Sequence, residues 1–339
     1  MNKLRLIQCG VGGFGENWLK DFTSQSPDFE VVAIVDLSPA ALEKAGEAHG
    51  IAARFTSLEE AIAKVPADAV LTITPPSVHI QHARTALGNG LHFMTEKPIA
   101  DTIESALEMV GLAREKGLQL VVSQQYRFSP SMQKVRELVA QGEIGTLGHG
   151  HLDFYIPADF TGSFREKMEF PLLLDMAIHH VDLIRALTGR DIVAVTAFSF
   201  NPAGSWYQHD AALKMFLELE GGVVFSYSGD WSALGRTTSW NGTWRLQGSK
   251  GSLHVEQDKV TLAQCERWGG NPSIEEIVAP DLVRRGQAQT LHSFAEAIRT
   301  GVPAETGGNA NLNSFFTIVA AMKSVREARR VALAELAGT

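Results

Sequence analysis

The chain has 339 residues, 45% of them hydrophobic and 20% charged, an ordinary globular composition on a chain too long for one typical core. Its net charge of −8 gives no electrostatic reason to bind nucleic acid or an anionic membrane surface. No apolar run approaches the ~20 residues that a bilayer span needs, so neither nucleic acid nor membrane is an expected partner.

Near the amino terminus, Gly10, Gly12, Gly13 and Gly15 arrive too soon for the apolar core of a secretion signal. Cys9 and Cys265 are far apart and predict no disulfide framework. A cytoplasmic location is the expectation.

Leu4 to Cys9 reads as a short strand running directly into Gly10-Val11-Gly12-Gly13-Phe14-Gly15. A G-x-G-x-x-G alone is a weak signal. Here a helix-like stretch follows from Glu16, and a second strand, Glu30 to Val35, ends in Asp36. That acid lies ~20 residues past the glycines, as a dinucleotide fingerprint requires. Gly10 permits the tight turn, Gly12 lets the backbone approach a pyrophosphate, and Gly15 lets helix and strand pack closely. Asp36 can accept hydrogen bonds from both adenosine ribose hydroxyls and would repel a 2′-phosphate. Leu37 and Ser38 follow, with no arginine to hold that phosphate. NAD is expected over NADP.

The alternation of strand and helix continues. Ser57-Leu58-Glu59-Glu60 reads as a capping box. Ala69 to Thr74 is an apolar strand broken by Thr74-Pro75-Pro76-Ser77, with Ser77 expected to cap the next helix. His79 and His82 on that helix lack a third ligand, so surface or cofactor-side positions are expected and a metal is not. Leu91 to Thr95 is a strand ending in Glu96-Lys97-Pro98, Asp101-Thr102-Ile103-Glu104 caps a helix, and Leu118 to Ser123 is the last strand. The pattern predicts an α/β fold whose first domain, residues 1–123, is a doubly wound parallel sheet. Ligands of such sheets bind beyond the carboxyl ends of the strands, where Gly10, Asp36, Thr74, Lys97 and Gln124 sit. Lys97 is a cation placed where a nicotinamide would lie.

From residue 124 to 339 the pattern changes to a second, α+β domain. Ser129-Pro130 starts a helix to about Ala140. Strands are expected over Thr146 to Tyr155, Ile192 to Phe200, Ala211 to Leu219, Val223 to Trp231, Thr243 to Gln247, Ser252 to Glu256 and Val260 to Gln264. Gly221-Gly222 and Asp258-Lys259 read as hairpin turns, so a large, mainly antiparallel open sheet is predicted. Its uncovered face calls for a second subunit, hence a homo-oligomer. His149 and His151 share one side of their strand, with Asp153 as the sole further ligand candidate, and no metal is expected there. Two helices close the chain, Leu282 to Arg299 and Ala310 to Arg329, and could pack back on the first domain.

Leu172 to Leu187 is apolar all round a helical wheel, which marks a buried helix. Asp175, His179 and Asp182 nevertheless recur at i, i+4 and i+7 as one polar stripe. Such groups are costly to desolvate unless they face a partner or a ligand. Taken alone, the stripe fits an internal hydrogen-bond set as well as it fits an active site.

Together these residues resemble the glucose–fructose oxidoreductase / inositol dehydrogenase / MocA family over nearly the whole chain. The resemblance rests on the glycines, Asp36, Thr74-Pro75-Pro76 with His79, Glu96-Lys97-Pro98, and Asp175-x-x-x-His179-x-x-Asp182. It implies a Rossmann domain and a catalytic group of Lys97, Asp175 and His179, with a cis bond before Pro98. It further implies cofactor contacts from Gly10, Gly12, Gly13, Phe14, Gly15, Asp36, Leu37, Ser38, Thr74, Pro75, His79, Glu96, Lys97 and Gln124. Substrate contacts would come from Arg127, Tyr155 and Asp182, and from the loop Asp159 to Phe170. Members act on sugars, inositols and related polyols with NAD or NADP, commonly as dimers or tetramers. Ala177 departs from the family, which often has glycine there.

The chemistry fits the residues in its own right. Oxidising a secondary alcohol needs a base for the hydroxyl proton while hydride leaves for the nicotinamide. His179 suits the base, Asp175 can orient it, and Lys97 can stabilise the developing alkoxide, at a site formed where the two domains meet. The competing readings are a glycosidase that retains NAD and uses it transiently, and a non-catalytic NAD-binding regulator.

Overall fold

The computed structural model describes residues 2–265 and 267–336. The chain divides into two units: residues 1–125 with 284–312, and 126–283 with 313–339. Among the described residues no helix is long and apolar enough to cross a membrane.

In the first unit, strands β1 (Leu4–Cys9), β2 (Phe29–Val35), β3 (Arg54–Phe55), β4 (Ala69–Thr72), β5 (His92–Thr95) and β6 (Leu120–Val122) form one six-stranded sheet ordered β3-β2-β1-β4-β5-β6. Every pairing in it is parallel. The connecting helices are α1 (Phe14–Trp18), α2 (Pro39–His49), α3 (Leu58–Lys64), α4 (Pro76–Gly88) and α5 (Ile103–Lys116), and α1 runs on into a π-turn over Leu19–Thr23. Covered on both faces, the central strands are buried end to end, as in Ala69–Thr72. Strand order reverses between β1 and β4, the switch point beside which doubly wound sheets bind their ligands.

Local capping decides where these helices start. Ser57 Oγ accepts from Glu60 N at 3.3 Å and Thr102 Oγ1 from Ser105 N at 3.1 Å. Ser77 caps nothing. Helix α4 begins two residues earlier than a Ser77 cap would set it, with Pro76 at the first helical position and Pro75 before it, because proline gives up no needed N–H there.

The second unit opens with α6 (Pro130–Ala140), then β7 (Leu147–Tyr155), α7 (Ile178–Thr188), β8 (Ile192–Phe200), β9 (Ala212–Leu219), β10 (Val224–Asp230), β11 (Thr243–Gly248), β12 (Gly251–Glu256), β13 (Lys259–Gln264) and β14 (Ser273–Ile277). With β15 (Val331–Ala332) they make a nine-stranded sheet ordered β14-β13-β12-β11-β7-β10-β9-β8-β15. Its pairings are antiparallel except β7 with β10. One face is core: Leu152, Phe154, Leu217, Phe225, Tyr227, Trp244 and Leu246 are buried. Gly150 lies under the Phe225 ring, where an added Cβ would meet a ring carbon at 2.1 Å. On the opposite side of β8 and β9, Phe198 and Phe216 remain 65% and 60% exposed.

Two details differ from expectation. The tight turn between β12 and β13 sits at Gln257-Asp258, one residue early, with φ of 49° and 62° as a type I′ turn demands. Strand β14 was not anticipated, since Ser-Ile-Glu-Glu-Ile shows no alternation and no residue of it is buried.

The closing helices are α8 (Gly286–Thr300) and α9 (Gly308–Glu327). Helix α8 completes the first unit's core, where Leu291, Phe294 and Ala295 pack with Leu6, Trp18, Phe29 and Leu71. It is also tied polarly: His292 Nδ1 and Arg299 Nη1 reach the two oxygens of Asp28 at 2.9 and 2.8 Å.

Candidate active site

The glycine loop after β1 is shaped by two close approaches. A Cβ on Gly10 would meet Ile73 O at 2.8 Å at a φ of +84°, and one on Gly15 would meet Gly10 O at 2.2 Å. Gly12 and Gly13 have nothing within 4 Å, so the space before the helix start is open for a diphosphate. Asp36 braces this loop: its Oδ2 accepts from Val11 N and its Oδ1 from Ser38 N, both at 2.9 Å. Leu37 beside it is 88% exposed, an apolar edge suited to an adenine ring. These residues fit a dinucleotide.

Gln8, which the sequence reading passed over, holds the loop from below. Its Nε2 donates to Gly15 O at 2.9 Å and Gly10 O at 3.2 Å, and its Oε1 accepts from Thr23 Oγ1 at 2.8 Å. A glutamine in an otherwise apolar buried strand was the available signal.

His79 does not lie on the surface. It is fully buried, with Nε2 at 2.8 Å from Thr74 O and Nδ1 at 2.9 Å from Thr95 Oγ1 and 3.1 Å from Pro98 O. It therefore staples the Thr74-Pro75 turn to the turn after Lys97, whose bond to Pro98 is cis. Burial lowers its pKa. His82 is half-buried, bonds Thr72 Oγ1 at 2.9 Å, and is pushed down to about 4 by burial. No group of metal-ligating side chains occurs among the described residues. Glu96 is buried, accepts from Trp18 Nε1 at 2.9 Å and from Lys97 N at 3.1 Å, and burial raises its pKa. Gln124 is also buried, its N–H given to Val122 O.

In the second unit the polar helix is not one regular α-helix. Leu173–Ala177 forms a π-turn and α7 begins at Ile178. The wider turn breaks the even 3.6-residue spacing assumed between Asp175 and His179. His179 is 3% exposed, and the Tyr126 ring lies 4.7 Å from its own. Tyr126 OH donates to Met176 Sδ at 3.9 Å, and burial raises that phenol well above its usual range.

Asp175 is gripped by a residue no spacing pointed to. Arg165 donates to it from Nε at 2.7 Å and Nη2 at 3.4 Å, with the guanidinium lying over Phe160 and Phe164 at 5.0 and 4.7 Å.

Asp182 and Arg127, both expected at the substrate, are paired with each other. Their side chains are 2% and 8% exposed. Arg127 Nε and Nη2 donate to the two Asp182 oxygens at 2.5 and 2.8 Å, and Ser314 Oγ donates to Oδ1 at 2.9 Å. This is an internal ion pair. Tyr155, the third residue expected at the substrate, ends β7. Strand alternation turns it away from Phe154, which packs on His180 at 4.8 Å, and toward Lys214, whose Nζ donates to its hydroxyl at 3.3 Å.

Residues 4–124 match the oxidoreductase family with an NAD-binding Rossmann fold, and residues 132–254 match the GFO/IDH/MocA C-terminal domain. The chain belongs to the GFO/IDH/MocA family. Inositol 2-dehydrogenase of Rhizobium meliloti is 26% identical to it, over 98% of this chain and 99% of its own. D-apiose dehydrogenase of Paraburkholderia graminis is 25% identical, over 98% and 89%. An oxidoreductase from Agrobacterium radiobacter, solved with NAD+, L-tartaric acid and magnesium, shares the fold with a TM-score of 0.88 at 19% identity, over 99% of this chain and 100% of that one.

The first unit of this GFO/IDH/MocA oxidoreductase is thus an NAD-binding Rossmann domain. Its second unit carries one titration with a clear effect on stability. His180, next to His179, is fully buried, Nδ1 facing Tyr227 OH and Nε2 facing Trp240 O, both at 3.2 Å. Burial lowers it to about 4. An unfolded histidine takes its proton near ~6.5, so between those values only the unfolded chain is protonated. Stability present above pH ~6.5 is lost as pH falls toward 4, by about 3 kcal/mol from this group. In urea titrations His180→Gln is expected to be less stable at pH 7 yet to show a slope with pH shallower by roughly one proton. An unchanged slope would rule out the buried neutral imidazole.

Proposed function

We propose that this GFO/IDH/MocA protein is an NAD-dependent dehydrogenase acting on a secondary alcohol of a sugar, inositol or related polyol, with Lys97, Asp175 and His179 as its catalytic group. The observation that carries the reading is the setting of His179: a titratable ring 3% exposed, faced by Tyr126, on a helix buried nearly throughout. NAD, when bound, supplies the hydride acceptor.

His179 takes the hydroxyl proton, for which an imidazole is suited near neutrality. Asp175 orients that ring and stabilises the imidazolium. Lys97 hydrogen-bonds the reacting oxygen and offsets its negative charge. Glu96 and His79 fix the backbone on either side of Lys97, as their bonds to Lys97 N and Pro98 O indicate. Arg127 and Asp182 act as positioning residues. The sugar and polyol class is supported by the relatives named inositol 2-dehydrogenase and D-apiose dehydrogenase.

The test is nicotinamide reduction across aldoses, inositols, amino sugars and anhydrosugars. Reduction by one class is expected. Cleavage of glycosides with no build-up of reduced nicotinamide would replace the proposal with the redox-neutral reading. Run with both coenzymes, the same assay checks Asp36. Asp36→Ser is expected to narrow the NAD-over-NADP ratio of kcat/KM by about tenfold or more, one charge repulsion and a ribose bond being removed. An unchanged ratio would count against the ribose role.

The exposed Phe198 and Phe216 support a homodimer or homotetramer assembled through the open sheet face. Equilibrium sedimentation should show the oligomer, and a monomer at all concentrations would remove this part of the reading.

A further inference from the structure

The loop between β7 and the π-turn is built around Arg165, and the proposed dehydrogenase mechanism has no use for that residue. The loop is anchored where it leaves the sheet. Ala158 N donates to Trp231 O at 3.0 Å, and Ala158 O accepts from Tyr207 OH at 2.6 Å and Trp206 Nε1 at 3.0 Å. Farther along, Phe160 stands edge-on to Trp231 at 5.2 Å. On this footing the Arg165 guanidinium lies over two aromatic rings, which hold its plane and limit its rotamers.

Only part of the fork is spent. Nε and Nη2 point at Asp175, the second bond being long at 3.4 Å, and the side chain is still 29% exposed while Asp175 is 15% exposed. An arginine has five donors in a fixed plane, so an accessible edge remains for a planar anion.

We infer that Arg165 reads a carboxylate on the substrate, which makes the substrate a sugar acid, an aldonate or a uronate, rather than a neutral polyol. Simple pinning of Asp175 needs only a neutral donor, whereas a guanidinium held flat on two rings keeps a planar fork that matches a carboxylate. Glu166 and Asp159 on the same loop would repel a phosphate dianion more strongly than a single carboxylate.

The turnover part rests on the dehydrogenase reading and the binding part does not, so the two are measured separately. D-glucuronate, D-galacturonate and D-gluconate are compared with D-glucose, D-galactose and D-glucitol, by nicotinamide reduction and by calorimetric titration into NAD-loaded protein. Wild type is expected to favour at least one acid over its neutral counterpart by about 30-fold or more, the scale of a bidentate charged pair. Arg165→Met, which keeps an unbranched side chain against Phe160 and Phe164, should lose most of that ratio, and Arg165→Lys should keep part of it. Thermal melting of both variants checks that they fold. Acid binding lost in Arg165→Met with no turnover by any variant would sustain the anion site and remove the dehydrogenase reading. Turnover of neutral sugars alone, binding of no acid, or an equal loss on acid and neutral partners in Arg165→Met would overturn the anion site.

Discussion

His179→Ala and Lys97→Met are each expected to lower kcat by about 1,000-fold while the dissociation constant for NAD stays within about threefold. Without the imidazole, the alcohol must give its proton to water at the moment hydride departs, a loss worth about 100- to 10,000-fold for a positioned base. Methionine at 97 preserves the length of the side chain and deletes the cation that offsets the alkoxide, a term of similar size. NAD affinity should survive in both, because the open space before Gly12 and Gly13 and the brace from Asp36 to Val11 are untouched. Steady-state rates with the best substrate from the panel give kcat, and quenching of protein fluorescence gives the NAD constant. Either variant turning over at the wild-type rate would mean that its residue has another role. A large loss of NAD affinity in Lys97→Met would move Lys97 from the reaction to the binding of the coenzyme.

The first unit was legible because its signals are local. Strand, glycine turn and acid follow one another in sequence, and every pairing in the sheet except β1 with β4 joins consecutive strands through a helix. The second unit was legible where strands alternate, and not where they do not: β14 carries no buried residue, so no pattern marks it. The π-turn at Leu173–Ala177 escaped for a different reason. Apolar side chains surround the whole helix, so the wheel looks the same whether one turn holds an extra residue or not. The site was half visible. Which acids share the helical segment with the histidine could be read from the sequence, but which cations neutralise them could not. Arg127 and Arg165 come from segments that sequence spacing does not connect to Asp182 and Asp175. His79 shows the same limit, since its partners Thr95 and Pro98 arrive from the next strand and turn.

Arg127 and Asp182 offer the sharpest way to separate a structural pair from a substrate contact. Both are nearly inaccessible, and each balances the other's charge. Removing one member leaves the other ionised without its balance, a change that typically costs 3–5 kcal/mol. Asp182→Asn is expected at the upper end of that range, because Arg127 and the nearby Arg185, 3.9 Å from the same carboxylate, both lose their shared anion. Arg127→Met should cost less, since Arg185 and Ser314 still face Asp182. The double variant Arg127→Met/Asp182→Asn removes both charges at once and should recover a large part of the loss, the mark of a coupled pair. Denaturant midpoints of the four proteins give these differences directly. If instead the single variants kept wild-type stability and raised only KM, Asp182 would be reaching substrate hydroxyls after all, and the ion pair would have to open when substrate arrives.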